Sequence, residues 1–146
     1  MTSTIKDKIA IVTGASSGIG RATALALAQH GANLALASRN IPAIEALAAQ
    51  IRALGSQALV LPTDVACREQ VEAAVARTLE RFGRLDILFS NAGQYLRSPI
   101  VDMPCEMLER SISVNFYSHV YLVKAALPGL LAQNSGHILF NATMDA

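Results

Sequence analysis

Long apolar runs, clustered charge and cysteine are all scarce in this chain. No window supplies the roughly 18 uninterrupted apolar residues that a membrane span needs, although the mean hydropathy is +0.36. Lys6, Asp7 and Lys8 precede only a short apolar run that ends at Thr13-Gly14. The longer core and small-residue cleavage site of a signal peptide are lacking, so a cytoplasmic location is expected. Two cysteines, Cys67 and Cys105, are too few for a disulfide framework, and no Cys/His cluster has metal-ligand spacing. The 12 basic and 11 acidic side chains leave a formal net charge of +1. An excess of basic charge is the footprint of nucleic-acid or anionic-membrane binding, and its absence speaks against both partners. Low-complexity segments, fixed-period repeats and linkers are also lacking, so residues 1–146 read as one domain, long enough to bury roughly 68–70% of its unfolded surface.

What the sequence does have is a repeated alternation of strand-length apolar runs with longer segments of helical period, the pattern of βαβ units. Strands are predicted at 9–13, 34–37, 58–61, 86–90 and 137–141, and helices at 18–30, 41–54 and 68–82, each helix closed by Gly31, Gly55 or Gly83. Val71, Val75 and Leu79 recur at helical spacing, and Ala22, Leu25, Ala26 and Ala28 are expected to form the packing face of the first helix. Ile87-Leu88-Phe89 is continuously apolar, as in a strand covered on both faces. Residues 107–133 read as one long helix, bent where Pro128 and Gly129 interrupt it, with Met107, Tyr117 and Tyr121 as packing residues. Right-handed crossovers and one reversal after the third strand then give an α/β fold, a Rossmann-like doubly wound parallel sheet of about five strands in the order 3-2-1-4-5.

Between the first strand and the first helix stands Thr13-Gly14-Ala15-Ser16-Ser17-Gly18-Ile19-Gly20. Glycines at 14, 18 and 20 let the backbone turn sharply and approach a pyrophosphate, to which the helix N-terminus offers free N–H groups and a partial positive charge. An ordinary strand-to-helix turn also uses glycine, but the strand before and the helix after supply the context of a dinucleotide site. Gly14, Ser16, Ser17, Gly18, Ile19 and Gly20 are therefore candidate cofactor-binding residues. Asp64-Val65 follows the third strand, Asn91-Ala92-Gly93 follows the fourth, and Ser113-Val114-Asn115 falls in the long helix. With the Gly-x-x-x-Gly-x-Gly spacing, these motifs in this order resemble the short-chain dehydrogenase/reductase family over essentially the whole chain.

The resemblance implies an oxidoreductase that passes a hydride between a nicotinamide dinucleotide and a carbonyl or alcohol carbon. It implies that Asp64 bonds the adenine amino group and that the Val65 backbone lies against the same ring. By residue type alone, Asp64 is equally suited to cap the helix that begins near Arg68. Asn91, Ala92 and Gly93 end a buried strand, where small residues admit a ligand to the backbone or simply make a turn. By the resemblance, Asn115 perturbs its helix and holds a water of the proton relay; by type it is as readily an amide satisfied by neighbouring backbone. At the end of the second strand, a carboxylate about 20 positions past the glycine motif would accept the ribose 2′-OH of NAD. The chain has Ser38-Arg39-Asn40 there. With no carboxylate to repel a 2′-phosphate and a guanidinium to grip it, NADP(H) is favoured over NAD(H), unless Arg39 is only a solvated surface residue. Ser17 departs from the second basic residue that some NADP-using members carry at that position.

Residues 136–143 resemble the family strand that delivers the catalytic serine, with Thr143 in the serine's place. The family's Tyr-x-x-x-Lys does not occur: Tyr95, Tyr117 and Tyr121 are followed four residues on by Pro99, Tyr121 and Ala125. Loss of a positioned acid or base removes about 10²- to 10⁴-fold in rate. The expectation is a C-terminally truncated cofactor-binding part that is inactive alone; the alternative is a non-catalytic nucleotide-binding or self-associating remnant. An open edge on the fifth strand and an apolar helix face including Val114, Leu122, Val123 and Leu127 predict a homo-oligomer.

Overall fold

The computed structural model describes residues 5–142, so Thr143 lies outside the described residues. Five strands, β1 (Ile9–Thr13), β2 (Asn33–Ser38), β3 (Ala58–Pro62), β4 (Ile87–Ser90) and β5 (His137–Phe140), form one sheet in the order β3-β2-β1-β4-β5. Every pairing is parallel. Helices α1 (Gly18–Gln29), α2 (Ile41–Ala53) and α3 (Arg68–Phe82) supply the crossovers. The last crossover holds a short 3₁₀ turn (Ile100–Asp102), then α4 (Cys105–Ile112) and α5 (Ser118–Ala132), joined by a π-helical stretch at Ser113–Tyr117.

Side chains alternate across the sheet and build a core on each face. Ile9, Ile11, Ala35, Ala37, Leu61 and Leu88 pack with Val71, Val75, Leu122 and Ala126 of α3 and α5. Ala10, Val12, Leu34, Leu36 and Ile87 pack with Ala24, Ala28, Ile44, Leu47 and Ile51 of α1 and α2. The central β1 is buried at every position, whereas β5, with one neighbouring strand, keeps Leu139 and Phe140 about half exposed. Asp86 precedes β4 rather than beginning it: its carboxylate accepts the Ile9 N–H (3.0 Å), a fork from Arg84 (2.6–3.1 Å) and Lys8 Nζ (3.5 Å). That network closes the N-terminal end of the sheet, opposite the strand ends that carry the motifs.

Four expectations about the helices require correction. Helix α1 turns Gly20, Ala24 and Ala28 inward, while Ala22 and Ala26 are exposed. In a helix this rich in small residues both faces read alike, and only the sheet decides between them. Helix α5 continues through Pro128, and the irregularity lies instead at Ser113–Tyr117. There the Ser118 hydroxyl donates to the Val114 carbonyl (2.6 Å) and Ser113 to the Glu109 carbonyl (2.9 Å), satisfying oxygens that a widened turn leaves over. Val114 and Leu122 face the core, and the outer apolar stripe is Ile112, Phe116, Val120, Leu127 and Leu131. Met107 and Tyr117 are on the exposed side as well, while Tyr121 packs against the core. Among the described residues no helix is long and apolar enough to cross a membrane.

Candidate functional site

The β1–α1 turn is built around two differently constrained glycines. Gly14 has φ +64°, and a Cβ on it would stand 2.9 Å from the Ala92 Cα. Gly20 has no such backbone demand, yet a Cβ there would overlap the Gly14 carbonyl oxygen and the Asn91 side-chain amide. Gly20 therefore sets how closely α1 approaches the loop. Ser17, the N-cap of α1, makes no side-chain cap bond, and no acidic residue lies in the first turn. The leading N–H groups and positive dipole end of α1 are thus left to an outside acceptor.

Asn91 ties three strand ends together. Its N–H donates to the Thr13 hydroxyl (2.9 Å), its Nδ2 donates to the Thr13 carbonyl (3.1 Å), and its Oδ1 accepts from Asn141 Nδ2 (2.9 Å). The Ala92 N–H shares the Thr13 hydroxyl at 3.1 Å. This bonding holds Asn91-Ala92-Gly93 against the glycine loop.

Across the rim, β2 and β3 end side by side, with the Thr63 N–H bonded to the Ser38 carbonyl (3.0 Å). Arg39 directly follows Ser38, and Asp64 directly follows Thr63. Arg39 is exposed, and among the described residues its guanidinium makes no hydrogen bond or ion pair. Asp64 does not cap α3, whose N-cap is Cys67. Its carboxylate instead accepts the Ala66 N–H (3.1 Å) and is gripped by Arg110 Nη2 of α4 at 2.8 and 2.7 Å. Burial pushes the Asp64 carboxyl up, but the Arg110 bonds, the Ala66 N–H and the charges of Arg110 and Arg39 outweigh it and hold the group below its ordinary value.

These pieces line one cavity of about 550 Å³. Gly14, Ser16, Ser17, Gly18, Ile19, Ser38, Arg39, Asp64, Val65, Asn91, Ala92 and Gly93 all border it; of the candidate cofactor residues, Gly20 alone does not. The groove has an uncapped helix end at one side and two arginines at the other, which suits an elongated, anionic ligand.

A second cavity of about 450 Å³ adjoins it through Ala92, Gly93, Gln94 and Asn141. Asn115, in the π-helical stretch, borders this one and is exposed rather than in the core. Its Nδ2 donates to the Gln94 carbonyl and its Oδ1 accepts the Gln94 N–H, each at 2.7 Å. Beside it, His119 Nδ1 lies 2.5 Å from the Ser90 hydroxyl, and its ring meets Phe140 edge-on at 5.3 Å. Burial pushes the His119 pKa down, and the Asn115 carbonyl only partly offsets that.

Sequence reasoning missed Thr13 as an organiser, Arg110, and the Ser90–His119 pair. Thr13 was visible as the residue opening the glycine motif, whereas no local pattern links Arg110 with Asp64 across 46 positions.

Comparison with known proteins agrees with this architecture. The family model for short chain dehydrogenase matches residues 8–146. An uncharacterized oxidoreductase of Listeria monocytogenes is 40% identical over 141 residues, covering 97% of this chain and 57% of the relative. One from Staphylococcus aureus strain MRSA252 is 41% identical over 141 residues, 97% of this chain and 60% of the relative. The chain thus spans less than two thirds of the length of these relatives. Among solved structures, L-sorbose reductase from Gluconobacter frateurii, complexed with NADPH and L-sorbose, superposes with TM-score 0.94 at 32% identity, covering 99% of this chain and 55% of that one. NAD⁺-bound xylitol dehydrogenase gives 0.88 at 35% identity, covering 94% and 53%. Fold, motif order and sequence similarity together place this chain in the short-chain dehydrogenase family.

Proposed function

We propose that these residues are the dinucleotide-binding part of a nicotinamide-dependent oxidoreductase acting on a carbonyl or alcohol, with NADP(H) preferred over NAD(H). One observation carries the reading: a single cavity collects the glycine loop, the uncapped α1 end, the Asn91 turn, Asp64 and the Arg39 guanidinium, which has no partner among the described residues. The solved neighbours include an NADPH complex and an NAD⁺ complex, so likeness alone does not choose between cofactors. Arg39, with no carboxylate at its position, favours the 2′-phosphate. A bound nicotinamide would supply the hydride; the chain binds and orients it, with Asn115 and Thr143 assigned to the reacting end. The 146 residues contain no Tyr-x-x-x-Lys, and on this reading they bind the cofactor without turning over substrate by themselves.

Titration of the purified chain with NADPH and NADH, read by nicotinamide fluorescence and by calorimetry, tests the assignment. Saturable binding with NADPH the tighter supports it. Absence of binding by either overturns it in favour of a non-catalytic remnant.

A homo-oligomer is proposed alongside, supported by the exposed stripe from Ile112 to Leu131 and by half-exposed Leu139 and Phe140 on β5. Light scattering that gives a monomer mass across a wide concentration range would sink it. A cytoplasmic location is in keeping with free thiols at Cys67 and Cys105.

A further inference from the structure

Arg39 and Asp64 are neighbours at the rim, one following Ser38 and the other Thr63, whose backbones are hydrogen-bonded to each other. Opposite charges so placed would ordinarily pair, and the Arg39 charge does act on the Asp64 carboxyl. Yet the Arg39 guanidinium makes no ion pair or hydrogen bond among the described residues. The carboxylate is committed elsewhere: one nitrogen of Arg110 bonds both oxygens, and the Ala66 N–H takes Oδ1 a second time. A carboxylate has about four acceptor positions, two on each oxygen. Three bonds therefore leave one position on Oδ2, enough for a single further donor such as an amino N–H.

Arg110 borders the same cavity with its side chain about one third exposed, close to the value for Asp64. It comes from α4, outside the β2 and β3 strand ends that supply Arg39 and Asp64. Its charge offsets that of Asp64, so among the described residues the cavity's rim keeps one uncompensated cation, Arg39.

We infer that Arg110 is a specificity-determining positioning residue, which occupies Asp64 and thereby keeps Arg39 available to a phosphate on the ribose 2′ position. The inference rests on the cofactor reading above. Without Arg110, Asp64 becomes the acceptor for Arg39, and the ribose 2′-phosphate meets a carboxylate in place of a free guanidinium. Affinity for NADH, which carries no phosphate there, changes less.

The test is a double-mutant series on the full chain at fixed ionic strength. Dissociation constants for NADPH and NADH are measured on the wild type, Arg110→Met, Asp64→Asn and the double variant, with a thermal melt of each. Expected is a loss of NADPH over NADH preference in Arg110→Met of roughly tenfold, and its recovery in the double variant, where no carboxylate remains to capture Arg39. A role confined to folding would weaken both cofactors together and would not be rescued by removing Asp64. If Arg110→Met fails to melt cooperatively, Arg110→Leu with Asp64→Asn in the same chain is compared with Asp64→Asn alone; equal preference supports the inference and unequal preference overturns it. An unchanged NADPH to NADH ratio in a folded Arg110→Met overturns the inference and leaves the cofactor reading standing. Failure of the wild type to bind either cofactor overturns both.

Discussion

The Asn115 side chain pairs with the Gln94 backbone as one strand pairs with another, donating to its carbonyl and accepting its N–H at 2.7 Å each. The π-helical stretch places the amide where it can do this, and Ser111 Oγ takes its second N–H at 3.0 Å. The loop after β4 is therefore held by the helical stretch that follows it in the same crossover. Asn115→Ala releases two backbone groups that water can partly reach. The expected loss is about 0.5–1.5 kcal/mol of stability, read in denaturant melts, with faster amide exchange concentrated at Gln94.

Gly20 and Gly18 separate crowding from conformation. Gly20→Ala forces a Cβ into the Gly14 carbonyl and the Asn91 amide, which bond each other, and the amide is held further by the Thr13 carbonyl. A loss of about 1–3 kcal/mol is expected, together with weakened cofactor binding. Gly18 has φ +50° but open space around the added atom, so Gly18→Ala is expected to lose only about 1–2 kcal/mol through left-handed backbone strain. Melting curves of the two variants check the order.

Replacing Asp86 by alanine leaves the Ile9 N–H, at the buried start of β1, without its acceptor. The expected loss is about 1–3 kcal/mol. Asp86→Asn keeps an oxygen for that N–H while giving up the charge-assisted fork from Arg84, so it is expected to fall between the wild type and the alanine variant in a urea melt.

Stability should respond to pH in two separate windows. Burial makes His119 harder to protonate in the fold than in the unfolded chain, whose value is near 6.5. The unfolded state then binds more protons as pH falls below 6.5, and stability declines until the folded pKa is passed. His119→Asn removes that decline. Asp64 and Asp86 are held below their ordinary 3.8. For Asp86, as for Asp64, burial opposes the shift and the arginine bond chiefly drives it. Their contribution is present above 3.8 and lost as pH drops through the folded values. Melts from pH 8 to 3 would show both steps in the wild type and only the lower one in His119→Asn.

The sheet was legible because a parallel core is written as short apolar runs separated by amphipathic helices, and each glycine stop falls where a helix ends. β1 and α3 were readable to the residue for that reason. The long last crossover was not. Its helices are apolar on several sides, so periodicity does not say that Val114 and Leu122 face α3 and the sheet while Phe116 and Leu131 face out. Pro128 drew attention as a breaker, but the irregularity came from the serines and Asn115 upstream, whose side chains satisfy backbone locally and across the chain. The cavity's chain-local motifs were visible one by one. Arg110 was not, because its meaning depends on a carboxylate that only folding brings to it.

The Asn91 amide touches the ends of β1 and β5 from the end of β4, so three strands share one side chain at the rim. No single strand end can drift without disturbing its bonds to the others. On the cofactor reading proposed above, the phosphate side of the groove is therefore framed before any ligand arrives, whereas the base side rests on one arginine reaching Asp64 from α4. A ligand would meet a web of backbone and amide bonds at one end and a single ion pair at the other, and substitutions at the two ends should differ in kind: the first changing how many molecules are competent to bind, the second how long each bound ligand stays.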